Sequence, residues 1–284
     1  MAKVKFSEFD LITSFTNEML VGYNPTTLKN IRFAFNLLTK KVTVSKAVSY
    51  IILDDDGIDR INGDTTSGDI TITLPTRADN LNRRIEIAHV IGGTNKIIIV
   101  ADGGESKITA DGLAAIWLPK IGDYIVLQEC ADSGFWEVVD EKITSQLILN
   151  GYAGYGDASN SKIMRFTNAV ENIGNLFSEN HSTGYNSNTE GLEITINRSG
   201  LYSYKFTLSS SGALAFGVSK NSSETTINIQ SITITNISAQ NIIPASTSFT
   251  VSGKEFFPKG TVLRAHTDGS APAATVNLFS ITAG

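Results

Sequence analysis

Thiols, charges and long apolar runs are all scarce in this sequence. Its 284 residues contain one cysteine, Cys130, and only 18% of them are charged. A single thiol excludes a disulfide within the chain and a thiolate-rich metal site, since both need several cysteines. Charged and polar residues interrupt every apolar run of the opening stretch MAKVKFSEFDLITSF, which indicates neither a signal peptide nor a membrane span. We therefore expect synthesis in a cytoplasm and no insertion into a membrane.

Positive charge is too sparse for a nucleic-acid-binding surface. The chain has 23 Lys and Arg against 28 Asp and Glu, which gives a net charge of -5. Binding to DNA or RNA without sequence preference needs a basic field that this chain lacks. Nucleic acid is therefore not an expected partner.

Groups that carry catalysis or bind metals are few and dispersed. The three histidines, His89, His181 and His266, do not form a metal-binding spacing. The acidic stretch LDDDGIDRINGD, counted from Asp54, lacks the glycine and glutamate positions of a calcium loop, which favours a solvated acidic turn. GGTNK, at 92–96, lacks the pattern of a phosphate-binding loop and is interpreted as a hairpin turn. The sequence therefore predicts no enzyme, no cofactor and no metal site.

Short alternating apolar runs are the main positive signal. DITITLP places Ile70, Ile72 and Leu74 on one side of a strand, and LEITIN repeats the pattern. Turn-forming Gly, Ser, Asn and Asp separate such runs. The sequence predicts an all-β protein, in which Trp117 and Trp136 belong to a core or cap it.

Four segments follow from this pattern. Residues 1–45 contain a small hairpin, with strands at Met19–Tyr23 and Leu28–Phe33, which is too small to be stable alone. Residues 46–142 form a compact all-β module. Residues 143–160, which include NGYAGYGDASN, are interpreted as a Gly/Ser/Asn-rich linker. Residues 161–284 form a β-sandwich.

The last segment resembles a known kind of head domain. MRFTNAVENIGNLF, LEITINRSGLYSYKFTLSSSGALAFGVSKNSS, FFPKGTVLRAHTDG and ATVNLFSITAG are similar, in that order, to the jelly-roll heads of complement proteins and of the tumour necrosis factor superfamily. The Gly200-x-Tyr202 entry, the Lys259-Gly260 turn and the terminal aromatic strand carry this resemblance. It implies a jelly-roll head and an obligate homotrimer with aromatic residues around the three-fold axis.

The first two segments resemble parts of bacteriophage fibres. FDLITSFTNEMLVGYNPTTLKNIRFAFNLL is similar to N-terminal anchors of virion fibre and spike proteins, and SGDITITLP with IEIAHVIGGTNKIIIVADGGESKI and GFWEVV is similar to a small module of phage tail and fibre proteins. Anchor, module and head in this order imply a trimeric virion fibre. Its partners would be capsid or tail proteins at the N-terminus and a host surface glycan or protein at the head.

Three sets of residues are candidates for these contacts. Apolar residues of the N-terminal segment are expected to anchor the chain to the virion: Phe6, Phe9, Leu11, Leu20, Ile31, Phe33 and Phe35. Aromatic and small residues of the head are expected at the trimer interface: Tyr202, Tyr204, Phe206, Ala213, Ala215, Phe216 and Phe279. Tyr185, in the polar stretch HSTGYNSNTEG, is a candidate receptor contact.

The sequence leaves several functions open. The fibre could belong to the capsid or to the tail, and its head could bind a receptor or serve only as a structural decoration. A carbohydrate-active virion enzyme is a further alternative, because its paired carboxylates would be assembled in space and not in sequence. Long β-helical repeats, which fibre depolymerases use, are not evident in the sequence.

Overall fold

The chain is an all-β protein in the part that the structure describes. The computed structural model describes residues 19–24, 29–34, 42–77, 80, 82–103, 108–109, 111–129, 134–156, 160–180, 191–243, 247–270 and 277–283, with backbone only for 19–24, 29–34, 180 and 243. Strands dominate these ranges, and two short 3-10 helices, Ile229–Ser231 and Ile234–Asn236, are the helical elements within them. None of the described helices is long and apolar enough to cross a membrane.

The N-terminal hairpin is confirmed. Strands β1 (Met19–Asn24) and β2 (Lys29–Ala34) pair antiparallel, from Met19 opposite Ala34 to Asn24 opposite Lys29. Leu20, Ile31 and Phe33 lie in these strands. The other anchoring candidates lie outside the described residues: Phe6, Phe9, Leu11 and Phe35.

The described residues of the middle unit form nine strands in two sheets. They are β3 (Thr43–Lys46), β4 (Tyr50–Ile51), β5 (Arg60–Asp64), β6 (Ile70–Thr73), β7 (Arg84–Ile91), β8 (Ile97–Val100), β9 (Ala115–Leu118), β10 (Tyr124–Glu129) and β11 (Trp136–Lys142). The first sheet has the order β11-β10-β7-β5-β3, and the second has the order β4-β6-β8-β9. From β3 to β8 the chain therefore alternates between the sheets.

This alternation stacks the chain in coils. Strands β3, β5 and β7 pair parallel in one sheet, and β4, β6 and β8 pair parallel in the other. The register stacks like residues: Ile61 lies opposite Ile87, and Ile72 lies opposite Ile99. All four side chains are fully buried between the sheets. The alternation seen in the sequence is thus the inward face of a small parallel coil, which the antiparallel strands β9 to β11 complete.

The GGTNK stretch is not the hairpin turn that its sequence predicts. It joins β7 in the first sheet to β8 in the second, so it passes from one sheet to the other. A Cβ atom on Gly92 would lie 2.0 Å from Thr65 Oγ1 of the preceding coil, so the glycine permits close stacking. Asn95 Nδ2 donates to Thr65 O at 2.8 Å and holds the two turns together.

The described residues of the head form a sandwich of two five-stranded sheets. Its strands are β12 (Gln146–Asn150), β13 (Asn168–Ile173), β14 (Phe177–Asn180), β15 (Glu193–Ile196), β16 (Gly200–Ser210), β17 (Leu214–Lys220), β18 (Ile237–Ile243), β19 (Thr247–Phe257), β20 (Val262–Thr267) and β21 (Leu278–Ala283). The sheet orders are β13-β12-β21-β16-β19 and β14-β15-β20-β17-β18, with antiparallel pairing throughout the described strands. Successive strands crossing between two such sheets form a jelly roll.

Aromatic side chains fill the centre of the head. Alternation along β16 turns Phe206 inward, where its ring centroid lies 5.3 Å from that of Phe216 on the opposite sheet and 5.7 Å from that of Phe279. Phe166 completes the cluster at 6.2 Å from both Phe206 and Phe279. These rings meet at the tilted and edge-on angles that aromatic pairs favour.

The described residues of segment 143–160 are part of the head and do not form a free linker. Strand β12 lies between β13 and β21 in the first head sheet, and Leu147 and Leu149 are fully buried. Farther along, Tyr155 forms a bridge to Met164, and its hydroxyl donates to Ser270 O at 2.6 Å. The glycine-rich composition predicted a linker, but strand pairing on both sides of β12 and the bridge of Tyr155 place these described residues in the head.

Polar side chains join the head to the middle unit. Arg198 of the head forms two hydrogen bonds of 2.6 Å with the carboxylate of Glu141 in β11. The amide of Asn175 accepts from Trp117 N at 3.2 Å and donates to Ala115 O at 2.9 Å along β9. The head therefore contacts β9 and β11, the last strands of the two sheets, whereas β3 and β4 lie at the opposite edges.

Candidate functional site

The described histidines are packed structural groups. His89 is 1% exposed, with Nδ1 3.1 Å from Leu118 O and Nε2 2.8 Å from Thr65 Oγ1. His266 is fully buried, with Nε2 2.7 Å from Ile227 O and Nδ1 3.1 Å from Ser219 Oγ. Because a carbonyl oxygen only accepts, His89 carries its hydrogen on Nδ1 and His266 on Nε2. Burial lowers the pKa of His266, which favours the neutral ring.

Carboxylates of the acidic stretch serve as acceptors for nearby donors. Asp56 accepts hydrogen bonds from Leu53 N at 2.9 Å and from the guanidinium of Arg83 at 2.6 Å. Asp54 accepts from Asn80 Nδ2 at 2.6 Å. Among the described residues, no group of three or more His, Cys, Asp or Glu side chains could hold a metal ion. The acidic stretch thus organises a turn.

Most trimer-interface candidates lie in the core of a single chain. Tyr202 and Tyr204 are at most 4% exposed, and Phe206, Phe216 and Phe279 are fully buried. These side chains pack against residues of their own chain, so the structure assigns them to the core instead of to a subunit surface. The trimer stays a prediction, and its interface would have to be formed by other residues.

Residues of the same chain cover Ala215 and Gly217, two small residues of β17. Ala215 packs with Ile229 and Ile232 of the connection between β17 and β18, which crosses the outer side of this sheet. A Cβ on Gly217 would lie 2.1 Å from Ala239 O of β18, so this close approach is internal too. Ala213, in the turn before β17, is exposed. Tyr185 lies outside the described residues.

An apolar pair that the sequence analysis missed lies on the outer face of the head. Leu201 and Phe256 are directly opposite each other on β16 and β19, and they are 42% and 60% exposed. The same face carries Lys205, Thr207 and Thr250 farther along these strands. The alternation of the sequence does indicate this exposed pair. Leu201 precedes Tyr202 and Phe256 precedes Phe257, and the side chains of Tyr202 and Phe257 point into the core.

A second exposed apolar surface lies on the first coil of the middle unit. Val42, Val48, Ile51 and Leu53 are 45%, 70%, 60% and 57% exposed. Within the described residues β3 pairs only with β5, and β4 only with β6, so both strands have open edges here. We call these four residues and the two strand edges the first-coil surface. It faces away from the head.

A groove lies where the middle unit meets the head. Its volume is about 630 Å³, and its walls are the 93–96 loop, the end of β9 with the following turn, and the end of β13. Lys96, Trp117, Lys120 and Ile121 are the larger side chains that line it. We call it the junction groove. Trp136 is fully buried as predicted, whereas Trp117 is half-buried and borders this groove.

Among the comparisons with known proteins, similarity was found to solved structures at low sequence identity. No protein-family model and no curated protein sequence matches this chain. Murine APRIL at pH 8.0 is 11% identical with a TM-score of 0.36, over 50% of this chain and 99% of that structure. The globular domain of zebrafish complement 1qA is 16% identical with a TM-score of 0.28, over 50% of this chain and 94% of that structure. GITRL from bushbaby is 16% identical with a TM-score of 0.24, over 32% of this chain and 68% of that structure. The strand order of the two head sheets defines the jelly roll.

Proposed function

We propose that this protein is a trimeric, non-enzymatic fibre or spike protein of a bacteriophage virion, attached through its N-terminal part, with a jelly-roll head that binds the host surface. The first-coil surface is the observation that carries this proposal. It combines exposed apolar side chains with two open strand edges, immediately after the N-terminal hairpin and on the side away from the head. Such a surface is suited to a protein partner.

The attachment can be tested with exposed residues of the first-coil surface. Val48→Asp with Leu53→Asp places charge on this surface without entering the core, since both side chains are more than half exposed. We expect the variant to fold and oligomerise as the wild type does but to be missing from purified virions. Val170→Asp, at a head residue that is 60% exposed, is the matched control and should be incorporated normally. Normal incorporation of the double variant would contradict attachment through this surface.

The oligomeric state is tested separately. The exposed pair Leu201 and Phe256 offers apolar area for a second copy of the head, and its burial would favour association. We expect sedimentation of the wild-type protein to give a trimer and Phe256→Asp to give monomers with an unchanged circular dichroism spectrum. Val139→Asp, at a 47% exposed residue of the middle unit, should stay trimeric. A monomeric wild type at micromolar concentration would refute the trimer.

Activity assays separate the alternative functions. Binding to a glycan array without release of reducing sugar supports a host-binding fibre, whereas release of reducing sugar identifies an enzyme. A protein that does neither, and that does not adsorb to host cells, is a structural decoration of the virion.

A further inference from the structure

The junction groove has the size and position of a ligand site. Its volume of about 630 Å³ falls within the range of known small-molecule sites. Residues of the middle unit form one side and Asn172, Ile173 and Gly174 of the head form the other. A ligand there would contact both units, and clefts between structural units are common ligand sites.

Trp117 places an aromatic ring in the groove. It lies on β9, the edge strand of its sheet, and the backbone of this strand is held by the hydrogen bonds of Asn175 with Trp117 N and Ala115 O. Ile121, beside it in the groove, is 55% exposed. A half-buried indole next to an exposed aliphatic side chain suits the apolar face of a sugar ring, because an aromatic side chain gives large contact area at low entropic cost.

Two ammonium groups line the groove, and each forms an ion pair with a neighbouring carboxylate. Lys96 Nζ lies 2.8 Å from Asp69 Oδ2 and 4.7 Å from the centre of the Trp117 ring. Lys120 Nζ lies 3.3 Å from Glu171 Oε1, and its side chain is 47% exposed. An ammonium group has three N–H donors, so each lysine retains donors beyond its ion pair. The two paired carboxylates, Asp69 and Glu171, are outside the described residues that line the groove.

We infer that the junction groove binds a sugar residue that carries an anionic group, either a carboxylate or a phosphate. The sugar ring packs on Trp117 and Ile121, and the anionic group accepts hydrogen bonds from the ammonium groups of Lys96 and Lys120. This inference rests on the proposed function for the origin of the ligand, which is the host surface. It locates that binding at the junction and not at the outer face of the head.

Calorimetry on the full-length protein tests the ligand class. The probes are glucuronic acid, glucose 6-phosphate, methyl glucoside and inorganic phosphate. We expect the two anionic sugars to bind about tenfold more tightly than methyl glucoside or inorganic phosphate, as charge-assisted hydrogen bonds and ring contact together require. The advantage over methyl glucoside should shrink as salt is added. Comparable binding of neutral and anionic sugars, or no binding of either, overturns the inference.

Variants locate the binding site. Lys120→Gln should weaken anionic sugar binding by about tenfold, whereas Lys205→Gln, at an exposed lysine of the head, should leave it unchanged. Trp117→Phe should abolish the fluorescence change on binding, since the remaining Trp136 is fully buried. Thermal melting checks that each variant is folded. Sugar binding that survives both Lys120→Gln and Trp117→Phe overturns the assignment to this groove.

Host-cell adsorption distinguishes this inference from the proposed function. If labelled wild-type protein adsorbs to host cells and Trp117→Phe and Lys120→Gln adsorb equally well, the groove is not the host contact, while the proposed function stands. If the wild type neither adsorbs nor binds anionic sugars, both fail.

Discussion

At the scale of single residues, Tyr202 shows how a polar atom is accommodated in the core of the head. The hydroxyl of Tyr202 is buried with its ring and lies 2.7 Å from Arg198 O and 3.2 Å from Leu176 O. The ring packs beside Phe177 and Phe257, at centroid distances of 6.4 and 6.3 Å. Tyr202 therefore combines core packing with a hydrogen bond that closes the turn before β16.

Removing this hydroxyl should destabilise the protein measurably. Tyr202→Phe keeps the ring but leaves the buried carbonyl oxygens with one donor fewer, which costs about 1 kcal/mol of unfolding free energy. Urea unfolding at neutral pH measures this difference. Tyr124→Phe, which loses an exposed hydrogen bond to Asp140 on the middle unit, should have a smaller effect. Equal stability of Tyr202→Phe and wild type would show that the hydroxyl contributes nothing.

Ionisation of Tyr202 should make the free energy of unfolding depend on pH in the alkaline range. Burial raises the pKa of Tyr202 to about 12, whereas an unfolded tyrosine titrates near pH ~10. The unfolded chain then loses its proton first, so the contribution is complete below pH ~10 and is lost as pH rises toward 12. Between these values wild type should lose stability more steeply than Tyr202→Phe in parallel urea titrations. Identical slopes would contradict the raised pKa.

Protonation of His266 should lower the stability of the folded protein as the pH falls. Its pKa is lowered by burial, so the unfolded chain binds the proton first as pH falls below ~6.5. Its contribution is complete above that pH and is lost as pH falls through the lowered pKa of the folded state. Between pH 8 and 5 the melting temperature of wild type should fall more than that of His266→Gln. A variant that falls just as steeply would assign the acid sensitivity to other groups.

At the scale of elements, strand β12 belongs to the head, so the head begins before residue 161, where the sequence analysis placed its start. A fragment that starts at Ser161 lacks β12 and exposes the strands on either side of it, β13 and β21. A fragment of residues 143–284 retains all ten head strands. We expect the longer fragment to unfold cooperatively and the shorter one to be aggregated or unfolded, as judged by calorimetry. Cooperative unfolding of the 161–284 fragment would contradict a structural role for β12.

Strands were predictable from the sequence to the extent that their signal is local. Alternation identified β6, β7, β15 and β16, and Asn-Pro between two apolar runs identified the N-terminal hairpin. The parallel coils were not predicted, because Ile61 and Ile87 are 26 positions apart and meet only through the path of the chain. For β12, the alternating Leu147 and Leu149 were present, but the glycine-rich stretch after them dominated the interpretation.

Surfaces were harder to predict than strands. Period-two alternation shows that Phe256 and Phe257 face opposite ways but does not show which side is the core. The junction groove was not predictable, because Trp117 and Lys120 meet Asn172 only through the docking of the head on the middle unit.

The whole molecule has a core that continues across the junction. Buried residues from Ile52 in the first coil to Ile281 in the last strand belong to one contiguous apolar cluster. The ion pair of Arg198 with Glu141 and the amide of Asn175 tie the same junction at its surface. The middle unit and the head should therefore unfold together.

Cooperativity across the junction can be tested with two substitutions. Arg198→Ala with Asn175→Ala removes two of the polar contacts between the units and leaves the contiguous apolar cluster intact. We expect one calorimetric transition for both proteins, at a lower temperature in the double variant, because the cluster still couples the units. Lys220→Ala with Lys205→Ala, both within the head, should retain a single transition. Two transitions in wild type would show that the units are already independent.

The pairing of β12 with β21 determines where an added tag would be seen. Ala283 N donates to Ser145 O at 3.0 Å, only three positions after β11 ends at Lys142. Strand β16 runs the other way for 11 residues, roughly 35 Å at the antiparallel rise, from Gly200 beside the junction to the exposed turn at Ser211 and Gly212. Gold or a fluorophore attached after Ala283 would therefore lie beside the junction of the head with the middle unit. An epitope inserted between Ser211 and Gly212 would mark the opposite end of the head.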